Sequence, residues 1–111
     1  MKRVSKSAAQ DLVARGALLV DMRSPVAYRD GHVTGAVNLP LLNFVNRIMA
    51  MERKSKIIIY SDDANDAILR QGNTYAETLG FVNIYYADYL SLTQDAVAPP
   101  PKPKQKPRRG K

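Results

Sequence analysis

The sequence predicts an α/β fold in which helices flank a mostly parallel sheet. Short β-branched or apolar runs alternate along the chain with stretches of helical spacing. Two of these runs, Ala17–Asp21 and Ile57–Tyr60, are apolar on both faces, which is typical of central strands in a parallel sheet. With 111 residues, 45% of them hydrophobic, the chain is long enough for one compact domain that needs neither metal nor disulfide to fold.

Each element follows from local signals. Ser5 or Ser7 can cap a first helix over Lys6–Arg15, which Gly16 ends. After the strand Ala17–Asp21, Ser24 and Pro25 provide the N-cap and first position of a helix that runs to about Asp30. The remaining pattern predicts a tight turn between Gly31 and Gly35, a strand over Ala36–Leu39, a helix over Leu41–Met51, a central strand over Ile57–Tyr60, a helix ending at Gly80, a strand over Phe81–Tyr86 and a short helix or turn over Ala87–Leu92.

The charge is concentrated at the carboxyl end. The net charge is +7, and six basic residues without any acid follow Ala98, namely Lys102, Lys104, Lys106, Arg108, Arg109 and Lys111. Five prolines also follow Ala98, so no core can form there. We therefore predict a nearly neutral folded domain over residues 1–97 and an extended or disordered basic tail over residues 98–111.

This tail has several possible uses. Its positive charge suits an acidic protein surface, the phosphates of a nucleic acid or an anionic membrane face. No aromatic residue is interleaved with the charges, so nucleic-acid binding would be weak, non-specific and sensitive to salt. The alternative is a tail that only increases solubility.

Several classes of function are excluded by what the chain lacks. There is no cysteine, which excludes disulfide scaffolds, zinc ribbons, iron–sulfur clusters and thiolate chemistry. His32 is the single histidine, so we expect no metal site and no cofactor. No apolar run approaches the roughly 18 residues of a membrane span, and no signal-peptide pattern follows the N-terminus, so we expect a soluble cytoplasmic protein.

One stretch resembles a known family. Residues 21–40 read DMRSPVAYRDGHVTGAVNLP, a strand ending in Asp-x-Arg followed by Tyr, Gly-His, Gly-Ala and Asn-x-Pro. This pattern resembles the signature of the rhodanese-homology domain, and the similarity extends from about Val4 to about Ile84. The resemblance implies a five-stranded, mostly parallel sheet and structural roles for Asp21, Arg23, Tyr28, Gly31, His32, Gly35, Asn38 and Pro40.

The resemblance also implies an active site that this chain lacks. In active members a cysteine after the central strand accepts a sulfane sulfur as a persulfide. Here that position holds Ser61, whose hydroxyl cannot carry a persulfide. Active members have a loop rich in Gly, Ser and Arg that cradles an anion, whereas the equivalent loop here reads Ser61, Asp62, Asp63, Ala64, Asn65 and Asp66. Three carboxylates at a helix start would cap that helix and repel thiosulfate or phosphate.

Two further departures lie downstream. The segment from Ser61 to Gly80 is about two residues longer than the family pattern, and we predict a break or extra turn at Gly72. The family often has a Gly-Gly turn before its last helix, where this chain has Tyr86–Tyr89.

The motif residues have structural interpretations. We expect His32 to bond backbone in the turn between Gly31 and Gly35, and Asp21 and Arg23 to brace the neighbouring loop. The tyrosines near the end of the domain are explained either by packing or by a partner surface.

The sequence therefore predicts a catalytically inactive rhodanese-like domain that binds, scaffolds or regulates a protein partner, helped by its basic tail. One alternative is a sulfurtransferase whose position 61 is natively cysteine, although a Cys→Ser change alone leaves the acidic loop unexplained. Another is a hydrolase with Ser61, His32 and Asp21 as nucleophile, base and orienting residue, but the Gly-x-Ser-x-Gly elbow is missing. A third is a nucleic-acid tether acting through the tail.

Overall fold

The computed structural model describes residues 1–94, so the predicted tail lies outside the described residues. The elements in chain order are β1 (Lys2–Arg3), α1 (Lys6–Ala14), β2 (Leu18–Asp21), α2 (Pro25–Asp30), β3 (Val37–Asn38), α3 (Leu41–Met49), β4 (Ile57–Ser61), α4 (Ala67–Thr78), β5 (Ile84–Asp88) and α5 (Tyr89–Thr93).

The five strands form one parallel sheet in the order β1-β5-β4-β2-β3. β4 lies at the centre and all its residues are buried, as its apolar composition predicts. In the register of the sheet, Asp21 lies opposite Tyr60 and Ser61 lies opposite Asp88. The carboxyl ends of β2, β4 and β5 therefore meet at one edge, the edge at which open α/β sheets bind ligands.

Helices cover both faces of the sheet. On one face the core includes Phe44 and Ile48 of α3, and Leu69 of α4, packed with Ile57 and Ile59 of β4. On the other face, Ala9 of α1 and Leu92 of α5 pack with Ile58 and Tyr60 of the same strand. The alternation of β4 side chains between the two cores fixes this strand in the sheet.

Gly72 does not interrupt α4, so the predicted break at this residue is wrong. The helix runs unbroken from Ala67 to Thr78, and Gly72 is buried within it. A Cβ atom at this position would lie 3.0 Å from Cε of Met22 and 3.5 Å from Phe44. Glycine is used here because the helix packs closely on the core, not because the chain turns.

Strands β5 and β1 also differ from the sequence prediction. The last strand begins at Ile84 rather than Phe81, because the N–H of Phe81 donates to the carbonyl of Ala76 in the last turns of α4 and so does not join the sheet. β1 was not predicted, since its two exposed residues are both charged, yet it pairs with Tyr85 and Tyr86 at the sheet edge. Across residues 1–94, no helix is both long and apolar enough to cross a bilayer.

Candidate functional site

Ser61 is the last residue of β4 and is almost completely buried. Its hydroxyl donates a hydrogen bond of 2.7 Å to Oδ2 of Asp66. The other oxygen of that carboxylate, Oδ1, accepts a hydrogen bond of 3.1 Å from the backbone N–H of Ile68, so Asp66 is the N-cap of α4. One carboxylate thus both binds the Ser61 hydroxyl and caps the first turn of α4.

The rest of the loop is organised by a second carboxylate. Oδ1 of Asp63 accepts a hydrogen bond of 2.9 Å from the N–H of Asn65, and the carbonyl of Asp63 accepts one of 3.0 Å from the N–H of Asp66. Ala64 is half-buried between them. The loop from Ser61 to Asp66 is therefore held by its own side chains, which supply negative charge at the N-terminus of α4.

A buried ion pair supports this loop from β2. The Arg23 guanidinium, 7% exposed, donates from Nη2 to Oδ2 of Asp21 at 2.7 Å and from Nε to both carboxylate oxygens at 3.1 Å. The backbone N–H of Arg23 and the Tyr60 hydroxyl donate to the same carboxylate at 2.8 and 2.6 Å. A buried carboxylate with this many donors is well satisfied.

The environment of the ion pair changes two pKa values. Hydrogen bonding to Asp21 raises the pKa of Arg23 still further above its already high ordinary value, which keeps the guanidinium charged. Burial, followed by the hydrogen bond to Asp21, raises the pKa of the Tyr60 hydroxyl well above its ordinary value. Both groups are therefore locked in the forms that bind the carboxylate.

Arg23 links this ion pair to the loop. Its Nη1 donates to Oδ1 of Asp62 at 3.2 Å, while Nη2 also donates to the carbonyl of Gly31. The guanidinium carbon lies 4.2 Å from the ring centroid of Tyr89, which covers it from α5. Arg23 thus braces the loop and the turn after α2 together.

The remaining motif residues build the turn between α2 and β3. Nδ1 of His32 donates to the carbonyl of Tyr28 at 2.8 Å, and the two rings stack with centroids 3.8 Å apart. The backbone partner of His32 therefore lies in α2, not in the turn between Gly31 and Gly35 where the sequence predicts it. The Tyr28 hydroxyl donates to the carbonyl of Ala36 at 2.7 Å.

The two glycines and the end of β3 complete this turn. Gly35 has a φ of 87°, a left-handed conformation that favours glycine. A Cβ on Gly31 would lie 2.9 Å from the Tyr89 hydroxyl. The Asn38 side-chain amide donates to the carbonyls of Asp21 and Arg23 at 3.1 and 2.9 Å, and Pro40 is the N-cap position of α3. The glycines and Asn38 therefore fix the path of the backbone in this turn and at the end of β3.

The structure does not assemble a serine-hydrolase triad. The hydroxyl of Ser61 is bonded to Asp66, the carboxylate of Asp21 to Arg23 and Tyr60, and the ring of His32 to the helix backbone. Within residues 1–94, no cluster of three or more histidine, aspartate or glutamate side chains could hold a metal ion.

Two residues of the site were missed as site residues by the sequence analysis. Tyr60 is the last apolar position of β4, and the pairing of β2 with β4 brings it opposite Asp21. Its position at a carboxyl strand end was a signal that could have identified it. Tyr89 reaches Arg23 from α5, and no local pattern indicates that contact. Tyr85 and Tyr86 pack on opposite faces of the sheet.

Comparison of the sequence with known proteins identifies relatives of this chain. The family profile of the rhodanese-like domain matches residues 5–89. The chain is 32% identical over 87 residues to the thiosulfate sulfurtransferase GlpE of Pseudomonas entomophila strain L48, an alignment that covers 78% of each chain.

Solved structures agree with the fold. A rhodanese-like domain from an Anabaena protein superposes with a TM-score of 0.56 at 26% identity, covering 66% of this chain and 83% of that chain. The human single-domain sulfurtransferase TSTD1 superposes with a TM-score of 0.62 at 20% identity, covering 85% of this chain and 92% of that one. The chain therefore belongs to the rhodanese-like domain family, in a form that carries serine at the end of its central strand and no cysteine.

Proposed function

We propose that this rhodanese-like domain has lost sulfur transfer and acts as a protein-binding, scaffolding or regulatory module. The observation that supports this most directly is the hydrogen bond between Ser61 and Asp66. A hydroxyl cannot carry a persulfide, and this hydroxyl is also occupied by the carboxylate that caps α4.

The charge of the loop supports the same proposal. In an anion-binding loop, backbone N–H groups at a helix N-terminus meet a substrate anion. Here Asp66 occupies that N-terminus, and Asp62 and Asp63 add two exposed carboxylates beside it. A dianion such as thiosulfate would be repelled, so restoring a nucleophile would not by itself restore its binding site.

The remaining scaffold is intact and presents a surface. The ion pair of Asp21 with Arg23 is buried and fully bonded, which holds the loop in one arrangement. The exposed side of the loop offers the carboxylates of Asp62 and Asp63, which suit a partner with basic groups. The basic residues 102–111 would add a second attachment, to an acidic surface of the partner.

Capture of partners by the full chain tests this proposal, with nuclease-treated native lysate as the source. The double variant Asp62→Lys/Asp63→Lys reverses the charge of the loop, and Glu77→Lys, an exposed acid on α4, is the matched control. A protein retained by the wild-type chain and by Glu77→Lys but lost by the double variant supports the loop as the binding surface. Equal retention by all three chains contradicts the loop as the binding surface, and the absence of any retained protein contradicts the proposal as a whole.

The second candidate is sulfur transfer, which is favoured by the name of the GlpE relatives. It requires cysteine at position 61. A thiosulfate:cyanide assay of Ser61→Cys, with Ser61→Ala as the baseline, separates the two candidates. Turnover above the baseline supports a sulfurtransferase loop, whereas turnover equal to the baseline supports a binding module.

A further inference from the structure

A concave surface of the domain is lined by no residue of the loop from Ser61 to Asp66. It is an open groove of about 510 Å³ between α1, α5 and the turn that follows α2. Its floor is apolar and is formed by Ala9, Val13, Leu19 and Leu92. The volume is large enough for several side chains.

The last helix ends beside this groove. Leu92 and Thr93, the last residues of α5, form part of its lining. Gln94 then leaves the helix with φ −70° and ψ 140°, values close to the polyproline II conformation of about −75° and +145°. Residues 95–101 read Asp-Ala-Val-Ala-Pro-Pro-Pro, so the next side chains are small and apolar, and three prolines follow.

The groove and the segment that follows Gln94 match in length and in charge. The lining of α1 extends from Lys6 to Ala14, eight residues along a helix, which is about 12 Å. Four residues of extended chain, Ala96–Pro99, also span about 12 Å. Lys6 lines the groove and forms no ion pair with residues 1–94, and Asp95 is the single acid after Gln94. Tethering adds an effective concentration of the order of millimolar without any new contact.

We propose that residues 95–101 of the same chain occupy this groove, with the Ala-Val-Ala segment on its apolar floor and Asp95 beside Lys6. The basic residues from Lys102 onward then start from a defined place on the domain. This inference is independent of the proposed function, because it concerns a different surface and a different segment.

Paramagnetic relaxation enhancement in the full-length chain tests the proposal. Because the protein has no cysteine, Ala98→Cys provides a single attachment point for a nitroxide label. We expect the amide signals of Gln10, Val13 and Val33 to lose most of their intensity and to regain it when the nitroxide is reduced. Broadening limited to the residues next to Gln94 in sequence would overturn the proposal.

Two comparisons make the result specific. Ala14→Arg places a bulky side chain in the groove, whereas Ala50→Arg makes the same exchange on an exposed position after α3. The first variant should abolish the broadening and the second should leave it unchanged. Equal broadening in both variants would contradict docking in the groove.

The charge pair and the identity of the occupant are tested separately. Lys6→Glu should weaken the broadening, and the charge swap Lys6→Glu/Asp95→Lys should restore it. In a mixture of two chains, the wild-type chain carries the NMR isotope and the Ala98→Cys chain carries the nitroxide but no isotope. We expect no broadening in this mixture. Broadening in that mixture would identify a second copy of the chain as the occupant and would overturn the intramolecular proposal.

Discussion

Ser61 and Asp66 form a hydrogen bond of 2.7 Å at the point where β4 ends and α4 is about to begin. The same carboxylate caps the helix through the N–H of Ile68. The serine at the end of the central strand is therefore part of the structure that starts the helix.

Asp66→Ala should destabilise the fold by about 2 kcal/mol, because it removes an N-cap and leaves the buried Ser61 hydroxyl without its acceptor. Asp66→Asn should lose less than about 1 kcal/mol, since asparagine is also a good N-cap. Urea unfolding of both variants measures this difference. Asp63→Asn, in the same loop, is the control. Equal losses for Asp66→Ala and Asp66→Asn would mean that capping by position 66 contributes nothing.

Arg23→Met should destabilise the fold by about 3–5 kcal/mol, because it leaves the buried carboxylate of Asp21 without its charge partner. Adding Asp21→Asn to this variant should recover part of the loss. Asp62, the other partner of the Arg23 guanidinium, has a side chain that is 71% exposed. Asp62→Ala should therefore change the free energy of unfolding by less than about 1 kcal/mol. Chemical denaturation checks the ranking, and a larger loss for Asp62→Ala than for Arg23→Met would contradict it.

Tyr60 should make the stability fall at high pH. Its pKa is raised in the folded protein by burial and by the bond to Asp21, whereas in the unfolded chain it is about 10. Above about pH 10 the unfolded chain loses this proton and the folded protein keeps it, so the Tyr60 contribution to unfolding free energy falls by up to about 1.4 kcal/mol per pH unit.

The measurement is urea unfolding at several pH values from neutral to alkaline. The advantage of wild type over Tyr60→Phe should be constant below about pH 10 and shrink above it. Tyr75→Phe, the same exchange on an exposed side chain of α4, provides the baseline. An advantage that stays constant across the whole range would show that Tyr60 titrates alike in both states.

The effect of Gly72→Ala on the free energy of unfolding should depend on Met22. Alanine is favoured over glycine inside a helix by about 1 kcal/mol, but its Cβ would lie 3.0 Å from Cε and 3.2 Å from Sδ of Met22. In the wild-type background we expect the crowding to outweigh the helix gain. In a Met22→Val background, where those atoms are absent, Gly72→Ala should stabilise. A double-mutant cycle by thermal unfolding measures the coupling, and additivity of the two changes would contradict the packing explanation.

Much of the fold could be predicted because its signals are local. Ser24 and Pro25 start α2 at the predicted position, and the apolar run from Ile57 identifies the central strand. Gly72 misled the prediction because a helix-breaking residue and a close-packing residue look the same in sequence. β1 was missed because edge pairing through backbone leaves no apolar pattern in Lys2 and Arg3.

The site was predictable only in part, for a similar reason. The serine and the acidic loop are visible in the sequence, as is the position of Asp66 at a helix start. The contacts of Arg23 with Asp62 and Tyr89 join residues that are far apart in the chain. Such contacts depend on strand order and on side-chain direction, which local patterns do not specify.

The most direct test of the proposal that sulfur transfer has been lost is persulfide formation on Ser61→Cys incubated with thiosulfate, followed by intact-protein mass spectrometry. In this step the thiolate would attack the outer sulfur of thiosulfate, form a Cys–S–SH group and release sulfite. We expect no added sulfur on the single variant, because the carboxylates of Asp62 and Asp66 repel the dianion. Adding Asp62→Asn and Asp66→Asn, which keeps the N-cap, should permit the reaction. Persulfide formation on Ser61→Cys as fast as on the triple variant would contradict the proposal that the acidic loop has abolished this chemistry.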